Sequence, residues 1–563
     1  MKVPYGESNF KTVVTQGFTY IDKTAYIERL ERVSKYQILL RPRRFGKSLF
    51  LSMLWHYYDV AYQTEFADLF GTLYIGKHPT PLHNTYQVLF LDFSGIDTDG
   101  GHDAIYQRVN EKLDNYLQVF LKRYAYAESQ IAEIREQTSP ASKMERFFSF
   151  MPAQKLLLLI DEYDHFANSV LAEDMKLFLR ILGKGGFMRS LYETLKTATL
   201  TGALDRFFIT GVTPLMLDSM TSGFNIGYNL SLEEDFNAAI GFTHPEMAGL
   251  LKPLVSDCHL DAAQLMQDVA HWYNGYRFHP AALETVYNAD MALYFVDRFD
   301  RKRCAYPKRM LDENIASDYG KIMRLFSIGN RDENFTVLDE LLTVGEVIAE
   351  QRRKFDFEKG FDRDDFISLL AYMGFVTAQR ETLAGDAFAI PNQVIRELYF
   401  QYFKVELERR NQLSIPEHPL RLAIEALALH ADMQPLLTQL ERVLQLLSNR
   451  DSIWLDEEHI KTILLSLLYQ SPIYAIYSER EIDKKYPDIL LLHRSPYPTR
   501  FQHLLELKYS KKGDGDKGWK NKTQEGIRQV QGYLQLPNIA SLPNLAAWLL
   551  ITDGSRLSLS KIA

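Results

Sequence analysis

Residues 36–48 read YQILLRPRRFGKS. The first five, Tyr36 to Leu40, form an apolar run of strand length that enters a basic turn. Beyond it, SLFLSMLWHYYDVAY carries Leu49, Met53 and Tyr57 at helical spacing. Strand, tight loop and helix thus meet at Gly46-Lys47-Ser48. This fits the end of the pattern G-x-x-x-x-G-K-[ST], with Arg41 standing where the first glycine would be. The residue types suit a phosphate chain. Gly46 lets the backbone wrap an anion, and the amides at the helix start supply dipoles. Lys47 offers a charge to the β- and γ-phosphates, Ser48 a hydroxyl to Mg²⁺, and Arg43 and Arg44 further positive charge. Taken alone, such a loop is equally a basic strand-to-helix turn.

A second element narrows the choice. Leu156 to Ile160 is an apolar strand that ends in Asp161-Glu162. Asp161 is expected to hold Mg²⁺ through water, and Glu162 to polarise the attacking water. Asp164 is expected to cap or pair locally. Further strands are expected at 86–93 and 207–212. Near-continuous apolar runs separated by helix-length stretches predict a parallel sheet covered on both faces, within an α/β domain over 1–245. Thr210, at the end of the fourth strand, reads either as a γ-phosphate sensor or as a threonine satisfying a strand-end amide. Arg206 is a further candidate for stabilising charge.

The remainder divides by pattern. Residues 246–410 are mostly helical, with a small hairpin expected between Phe375 and Ile390. Residues 411–449 read as a helical bridge after a polar, proline-containing stretch at 409–419. Residues 450–563 return to α/β, with short strands at 473–477, 488–492, 502–507 and 546–552. Within this last part, YPDILLL supplies Asp488, and 18 residues later LLELKYS supplies Glu506 and Lys508. Period-two alternation puts Glu506 and Lys508 on one face of a strand. Asp488 and Glu506 on adjacent strand ends would bind one or two Mg²⁺, with Mn²⁺ as an alternative. Lys508 would orient or activate water and steady the charge on a phosphorane. Glu479 is a further candidate metal carboxylate. Gln529 and Tyr533 lie one helical turn apart and are expected to position substrate. Lysines 508, 511, 512, 517, 520 and 522 form a local basic rim. An ordinary strand beside a solvated lysine-rich loop would leave much the same pattern.

Composition bounds these readings. A chain of 563 residues is too long for one core. Its 46% hydrophobic and 24% charged content is that of a globular protein. With Lys plus Arg at 64 and Asp plus Glu at 72, the net charge of −8 gives no overall attraction for nucleic acid, so any such binding needs a local basic site. Two cysteines exclude a disulfide scaffold and a Cys₄ zinc site, and are expected to be ordinary thiols. No apolar run is long enough to span a membrane, and the N-terminus has no apolar core of a secretion signal. A cytoplasmic setting is the expectation. His165, His271 and His503 show no ligand-like spacing.

With both halves read, the chain resembles the bacterial AAA-ATPase-like proteins that end in a domain of the PD-(D/E)XK nuclease superfamily. The resemblance rests on YIDKT (20–24), RPRRFGKS (41–48), LLLIDEYD (157–164), ITGV (209–212), GFT (241–243), WYNGYRF (272–278) and LLAYMGFVT (369–377). In the last part it rests on SE (478–479), PD (487–488), ELK (506–508) and the Gln529/Tyr533 pair. Arginine in place of the first loop glycine is habitual in that family. Where relatives often read Phe-Ser-x-x-Asn-Asn, this chain has SGFNIGYN (222–229), and Lys485-Tyr486 replaces the usual Gly-Arg before Pro-Asp. The resemblance implies a P-loop sheet, a helical middle domain and a restriction-endonuclease-like C-terminal domain. It implies ATP and Mg²⁺ as cofactors and nucleic acid as partner, DNA ahead of RNA. It places Tyr20, Asp22 and Lys23 near the base or ribose, with Phe10 either stacking there or in the core. It gives Asp488, Glu506 and Lys508 the cleavage chemistry, with Glu479 as the helix carboxylate. Ring assembly is common among such modules, so self-association stands open. The family is loosely linked to defence against mobile DNA. The competing reading is an ATP-switched signalling protein whose nuclease-like domain binds without cutting.

Overall fold

Five strands order the first half of the chain: β1 (Tyr36–Leu40), β2 (Gln87–Asp92), β3 (Leu156–Asp161), β4 (Arg206–Gly211) and β5 (Tyr228–Asn229). In the computed structural model they form one sheet in the order β2-β3-β4-β1-β5, parallel at every pairing. Every residue of β3 and β4 is buried, as two-sided cover by helices requires. Placing β3 and β4 between β2 and β1 brings the C-terminal ends of β1, β3 and β4 together. That edge of an open α/β sheet is where ligands bind. The structure describes residues 2–151, 155–216, 226–312, 325–355, 360–448, 456–478 and 485–563.

The chain divides into two units. One holds Met1–Asp297, Asp312–Val337 and Glu346–Gln393; the other holds Arg298–Leu311, Leu338–Gly345 and Val394–Ala563. The stretch 246–410, read from sequence as a helical middle domain, is helix-rich and is shared between the two. Its helices start on local signals. Thr243 caps His244–Cys258 and Glu246 returns the bond to the Thr243 amide, a reciprocal capping box. The hairpin expected between Phe375 and Ile390 is present as β7 (Thr377–Thr382) and β8 (Gly385–Ala389). A third strand, β6 (Glu346–Ala349), completes a sheet ordered β6-β8-β7. Four residues are too few to register as a strand in an otherwise helical pattern.

In the second unit, helices Glu417–His430, Gln434–Ser448 and Glu457–Leu468 precede a mixed sheet. Its strands are β9 (Tyr474–Ser478), β10 (Ile489–His493), β11 (Gln502–Tyr509), β12 (Leu545–Thr552) and β13 (Leu557–Lys561), ordered β13-β12-β11-β10-β9. Only β11 and β12 run parallel. A parallel pair needs a crossover, and helix Gly515–Leu534 supplies it. That helix packs closely on the sheet. A Cβ at Gly526 would lie 2.3 Å from Leu549 Cδ1, so any larger residue there has to displace that side chain. Val530 and Tyr533 join Leu490, Leu504 and Ala547 in the core beneath it.

Two further observations bear on the sequence expectations. Cys258 and Cys304 are not the ordinary thiols expected: both are disulfide-bonded. The sequence around neither cysteine marks this, since no Cys-x-x-Cys or other pairing motif is present. Among the described residues, no helix is long and apolar enough to cross a membrane.

Candidate active sites

The first site lies at the C-terminal edge of the parallel sheet. Gly46 has φ 101°, a left-handed conformation that suits glycine, and it starts helix Lys47–Tyr58 with no side-chain cap. The first amides of that helix therefore have no side chain bonded to them from the cap position. The Lys47 ammonium is 4% exposed, donates to the Pro42 carbonyl at 3.0 Å and lies 4.0 Å from Glu162 Oε1. A cavity of about 350 Å³ opens beside the loop and is lined by Tyr20, Lys47, Ser48, Glu162, Phe242 and Asp290, among others. Arg44, itself at φ 63°, is paired with Asp290 at 3.1 Å.

Arg41 plays a different part from its neighbours. It is 1% exposed and donates to the carbonyls of Leu40, Ser231 and Phe236 at 2.7–2.8 Å, with its guanidinium 3.9 Å from the centre of the Phe278 ring. The residue in the first-glycine position thus braces the loop from behind. Burial pushes its pKa down to about 9.

The two carboxylates of β3 differ in state. Burial pushes Asp161 up to about 6; Glu162 and Asp92 add to the push, while the Ser48 hydroxyl bond and Lys47 oppose it. For Glu162, burial also acts upward, but a hydrogen bond from His165 and the charges of Lys47, His165 and Arg43 outweigh it and hold the carboxylate at about 2. His165 Nδ1 is 3.3 Å from Glu162 Oε2, and Glu162 sits at φ 49°. His165 was expected to be ordinary; its place three residues after Glu162 was the available signal. Asp92 pairs in register with Asp161 across β2 and β3. Asp164 is fully buried and accepts from Val212 and Thr213, far along the chain, as well as from Asn168 one turn on, so it does more than the local capping or pairing expected of it. Thr210 is fully buried and donates to the Leu39 carbonyl at 2.8 Å. Arg206 begins β4, at the opposite end of the strand from Thr210.

Of the residues assigned by resemblance to base and ribose, Tyr20 and Lys23 line the cavity. The Lys23 ammonium is bound by Glu246 at 2.7 Å and by the Ala238 carbonyl. Asp22 accepts from the Thr24 and Tyr74 amides. Phe10 is fully buried and stacks on Phe70 with ring centres 4.9 Å apart, which places it in the core.

The second site sits where β10 and β11 meet. Ile489 pairs with Leu505, so the preceding Asp488 reaches β11, and its Oδ2 accepts from the Leu507 amide at 2.7 Å. Glu506 is 2% exposed; its Oε1 lies 2.9 Å from Lys508 Nζ, and its Oε2 is buried with no hydrogen-bond partner. Lys508 Nζ also meets Glu457 Oε1 at 3.1 Å and the Leu507 carbonyl at 2.9 Å. Burial and then the charge of Glu506 push Asp488 up to about 7, against the Leu507 amide, Lys508 and Lys461. Glu506 is likewise raised, first by burial, with Lys508 pulling against it. For Lys508 burial acts downward, but Glu506, Asp488 and Glu457 prevail and keep it an ammonium.

Two buried carboxylates, both raised by burial, with Glu506 adding to the push on Asp488 and one Glu506 oxygen orphaned, fit a divalent cation, which would supply the missing positive charge. Among the described residues, no group of three or more His, Cys, Asp or Glu side chains gathers as a metal set. The fit is therefore to a pair of carboxylates. At the first site, the Ser48 hydroxyl bonded to a raised Asp161 makes the corresponding donor set. Sequence reading missed Glu457. It opens helix Glu457–Leu468, and its Oε2 also accepts from the Tyr509 amide at 3.0 Å. Glu479 lies outside the described residues, as do Ser222 to Asn225. Gln529 is half-buried beside Tyr533, whose hydroxyl donates to the Tyr486 carbonyl at 3.2 Å. Lys511, Lys517 and Lys520 are exposed, whereas Lys522 pairs with Glu525.

Comparison with known proteins gives two family matches, over separate parts of the chain. Residues 4–221 match the family described as a predicted AAA-ATPase, and residues 455–561 match the PD-(D/E)XK nuclease superfamily. The chain is also similar to a protein of Azotobacter chroococcum mcd 1 titled "Uncharacterized protein in vnfD 5'region". The two are 26% identical over 310 residues, which is 53% of this chain and 52% of that protein. The chain thus spans about half the length of the curated relative it matches.

Proposed function

We propose that this chain, built of a predicted AAA-ATPase domain and a PD-(D/E)XK nuclease superfamily domain, binds and hydrolyses ATP at the first site and cleaves phosphodiester bonds of nucleic acid at the second, with nucleotide state controlling cleavage. DNA is favoured over RNA. The observation that carries the reading is the buried pairing of Asp488 with Glu506 beside the Lys508 ammonium.

At the first site, Lys47 would leave the Pro42 carbonyl for the β- and γ-phosphates, and the free amides at the start of its helix would take phosphate oxygens. Ser48 and Asp161 would hold Mg²⁺. Glu162, ionised at neutral pH and oriented by His165, would polarise the attacking water.

At the second site, Asp488 and Glu506 would hold Mg²⁺ or Mn²⁺. When bound, such an ion supplies Lewis-acid charge to the phosphoryl oxygens and to the water. Lys508, held as an ammonium, cannot accept a proton. Its work is to place the water and steady the phosphorane. Glu457 and Glu506 fix where that ammonium points. Water adds to phosphorus and releases a proton to bulk solvent, the bond to the leaving oxygen breaks, and that oxygen takes up a proton from solvent.

The test is cleavage of mixed DNA and RNA substrates with Mg²⁺ or Mn²⁺, with and without ATP, by the wild-type, Glu506→Ala and Lys47→Ala proteins. Cleavage lost in Glu506→Ala and no longer responsive to ATP in Lys47→Ala is expected. Intact ATP hydrolysis with no cleavage in any lane would replace this reading with an ATP-switched binding protein.

A further inference from the structure

Beside the second site lies a groove of about 480 Å³ between Lys485-Tyr486 and one face of helix Gly515–Leu534. Its size is that of a small-ligand pocket. Three features give it a chemical character. Tyr486 is 51% exposed and lines the groove together with Tyr533. Lys485 and Arg528 put cations on its walls. Gln529 also lines it, and its carboxamide oxygen is buried with no hydrogen-bond partner. The last torsion of a glutamine side chain is soft, so a donor entering the groove could turn that oxygen toward itself. Tyr533 ties the groove to the cleavage centre: its hydroxyl donates to the carbonyl of Tyr486, two residues before Asp488, and its helix packs on β11, the strand that carries Glu506 and Lys508.

We infer that this groove takes an unpaired nucleotide base next to the scissile phosphate, so that the second site acts on single-stranded or locally opened polynucleotide. This rests on the nuclease reading above and names its substrate class. An aromatic face, flanking cations and one amide able to meet a base edge are the elements of single-strand recognition, in which bases stack on aromatic rings and phosphates meet basic side chains. A base still paired within a duplex presents neither face for stacking. Tyr486 would be the platform, Gln529 would meet the base edge, and Lys485 and Arg528 would take the flanking phosphates. The exposed Lys517 and Lys520 lie earlier on the same helix and would extend the strand's path.

The experiment uses the full chain carrying Glu506→Gln, so that substrate survives. The probes are a 20-nucleotide single strand containing 2-aminopurine, its RNA counterpart, and a blunt duplex of the same sequence. Binding is read from the change in 2-aminopurine fluorescence and from anisotropy. Tighter binding of single strand than duplex is expected. Tyr486→Ala should weaken it by about 5- to 150-fold, the range for removing one base-stacking ring, and Tyr486→Phe should largely restore it. The DNA and RNA arms tell which backbone is preferred. Equal affinity for duplex and single strand, or Tyr486→Ala binding as the parent does, would overturn the inference. The nuclease reading is judged separately, by cleavage with an intact Glu506. A protein that cuts duplex and single strand alike, with Tyr486→Ala unimpaired, would keep that reading and lose this one.

Discussion

The Lys508–Glu506 pair offers the sharpest test of the second site as a preorganised centre. Both residues are almost fully enclosed, at 5% and 2% exposure, and their charged atoms are 2.9 Å apart. At an effective dielectric of about 20 the gross attraction is about 6 kcal/mol. Desolvation removes much of this from the net stability, but removing only one partner does not recover the desolvation cost, because the other charge stays buried. Lys508→Met should therefore destabilise the metal-free protein by about 3–5 kcal/mol. It also strips Glu457 of a partner and leaves two carboxylates, Glu506 and Asp488, facing one another. Glu506→Gln alone should cost less, since Lys508 keeps Glu457 and the Leu507 carbonyl. The double variant should lose less than the sum of the two, with a coupling of about 2 kcal/mol or more. Urea unfolding of the full chain in EDTA, following the transition of the second unit, measures all four corners of the cycle. Saturating Mg²⁺ should raise the wild-type midpoint and leave Glu506→Gln nearly unmoved, because binding to the folded state alone stabilises by mass action. If the single losses add to within about 0.5 kcal/mol, the pair is not coupled and the argument for a prebuilt centre fails.

Two further outcomes follow from buried groups elsewhere. Arg41→Gly, which restores the usual loop glycine, should weaken the first unit by about 2–4 kcal/mol: the orphaned carbonyls of Leu40, Ser231 and Phe236 and the cavity left over Phe278 outweigh relief from burying a cation. Thermal unfolding checks it, and a Tm equal to wild type would refute the bracing role. His503 is fully buried, accepts from the Trp548 indole at Nδ1 and offers Nε2 to the Leu427 carbonyl, and burial holds its pKa at about 4. Because that lies below the ordinary value of about 6.5, its contribution is full above pH 6.5 and is lost as pH falls toward 4, about 3 kcal/mol in all. The wild type should thus lose more stability between pH 7 and pH 4 than His503→Gln does, and parallel pH profiles for the two would count against it.

How far the sequence disclosed the sites depended on how local their chemistry is. The loop at 41–48 and the Asp161-Glu162 pair are contiguous, and each sits where an apolar strand stops, so residue type and position could be read together. Asp488 and Glu506 were legible for a related reason: they stand on neighbouring strands joined by a short connection, so 18 residues in sequence become one step across the sheet. Glu457 was not legible. It meets Lys508 across 51 residues, and its own surroundings, Asp456-Glu457-Glu458 at a helix start, look like ordinary N-terminal acids. β13 was missed because it is a five-residue edge strand whose Ser558 and Ser560 interrupt its leucines, and so it carries no apolar run. The disulfide-bonded state of the cysteines left no local trace either.

Arg41 shows why a motif departure need not weaken a site. A glycine at the start of a phosphate loop serves a tight turn, and what that turn needs is a fixed backbone path. Here the path is held by a side chain: Arg41 is hydrogen-bonded through its own amide to the Gly211 carbonyl at the end of β4, and its guanidinium binds carbonyls on both sides of the Ser231–Phe236 segment that follows β5. One residue thus ties together β1, β4 and the turn beyond β5, the three places that meet at the sheet edge. Gly46 keeps the one backbone conformation in the loop that demands glycine, at φ 101°. The two requirements of the loop, a fixed entry and a left-handed exit onto the helix, are met by different means, and only the second has to be glycine. The arginine is therefore part of what fixes the backbone ahead of Lys47 and Ser48, and its charge is turned away into the protein; on the proposed reading the phosphate would meet Lys47 and Arg43, with Arg44 held by Asp290.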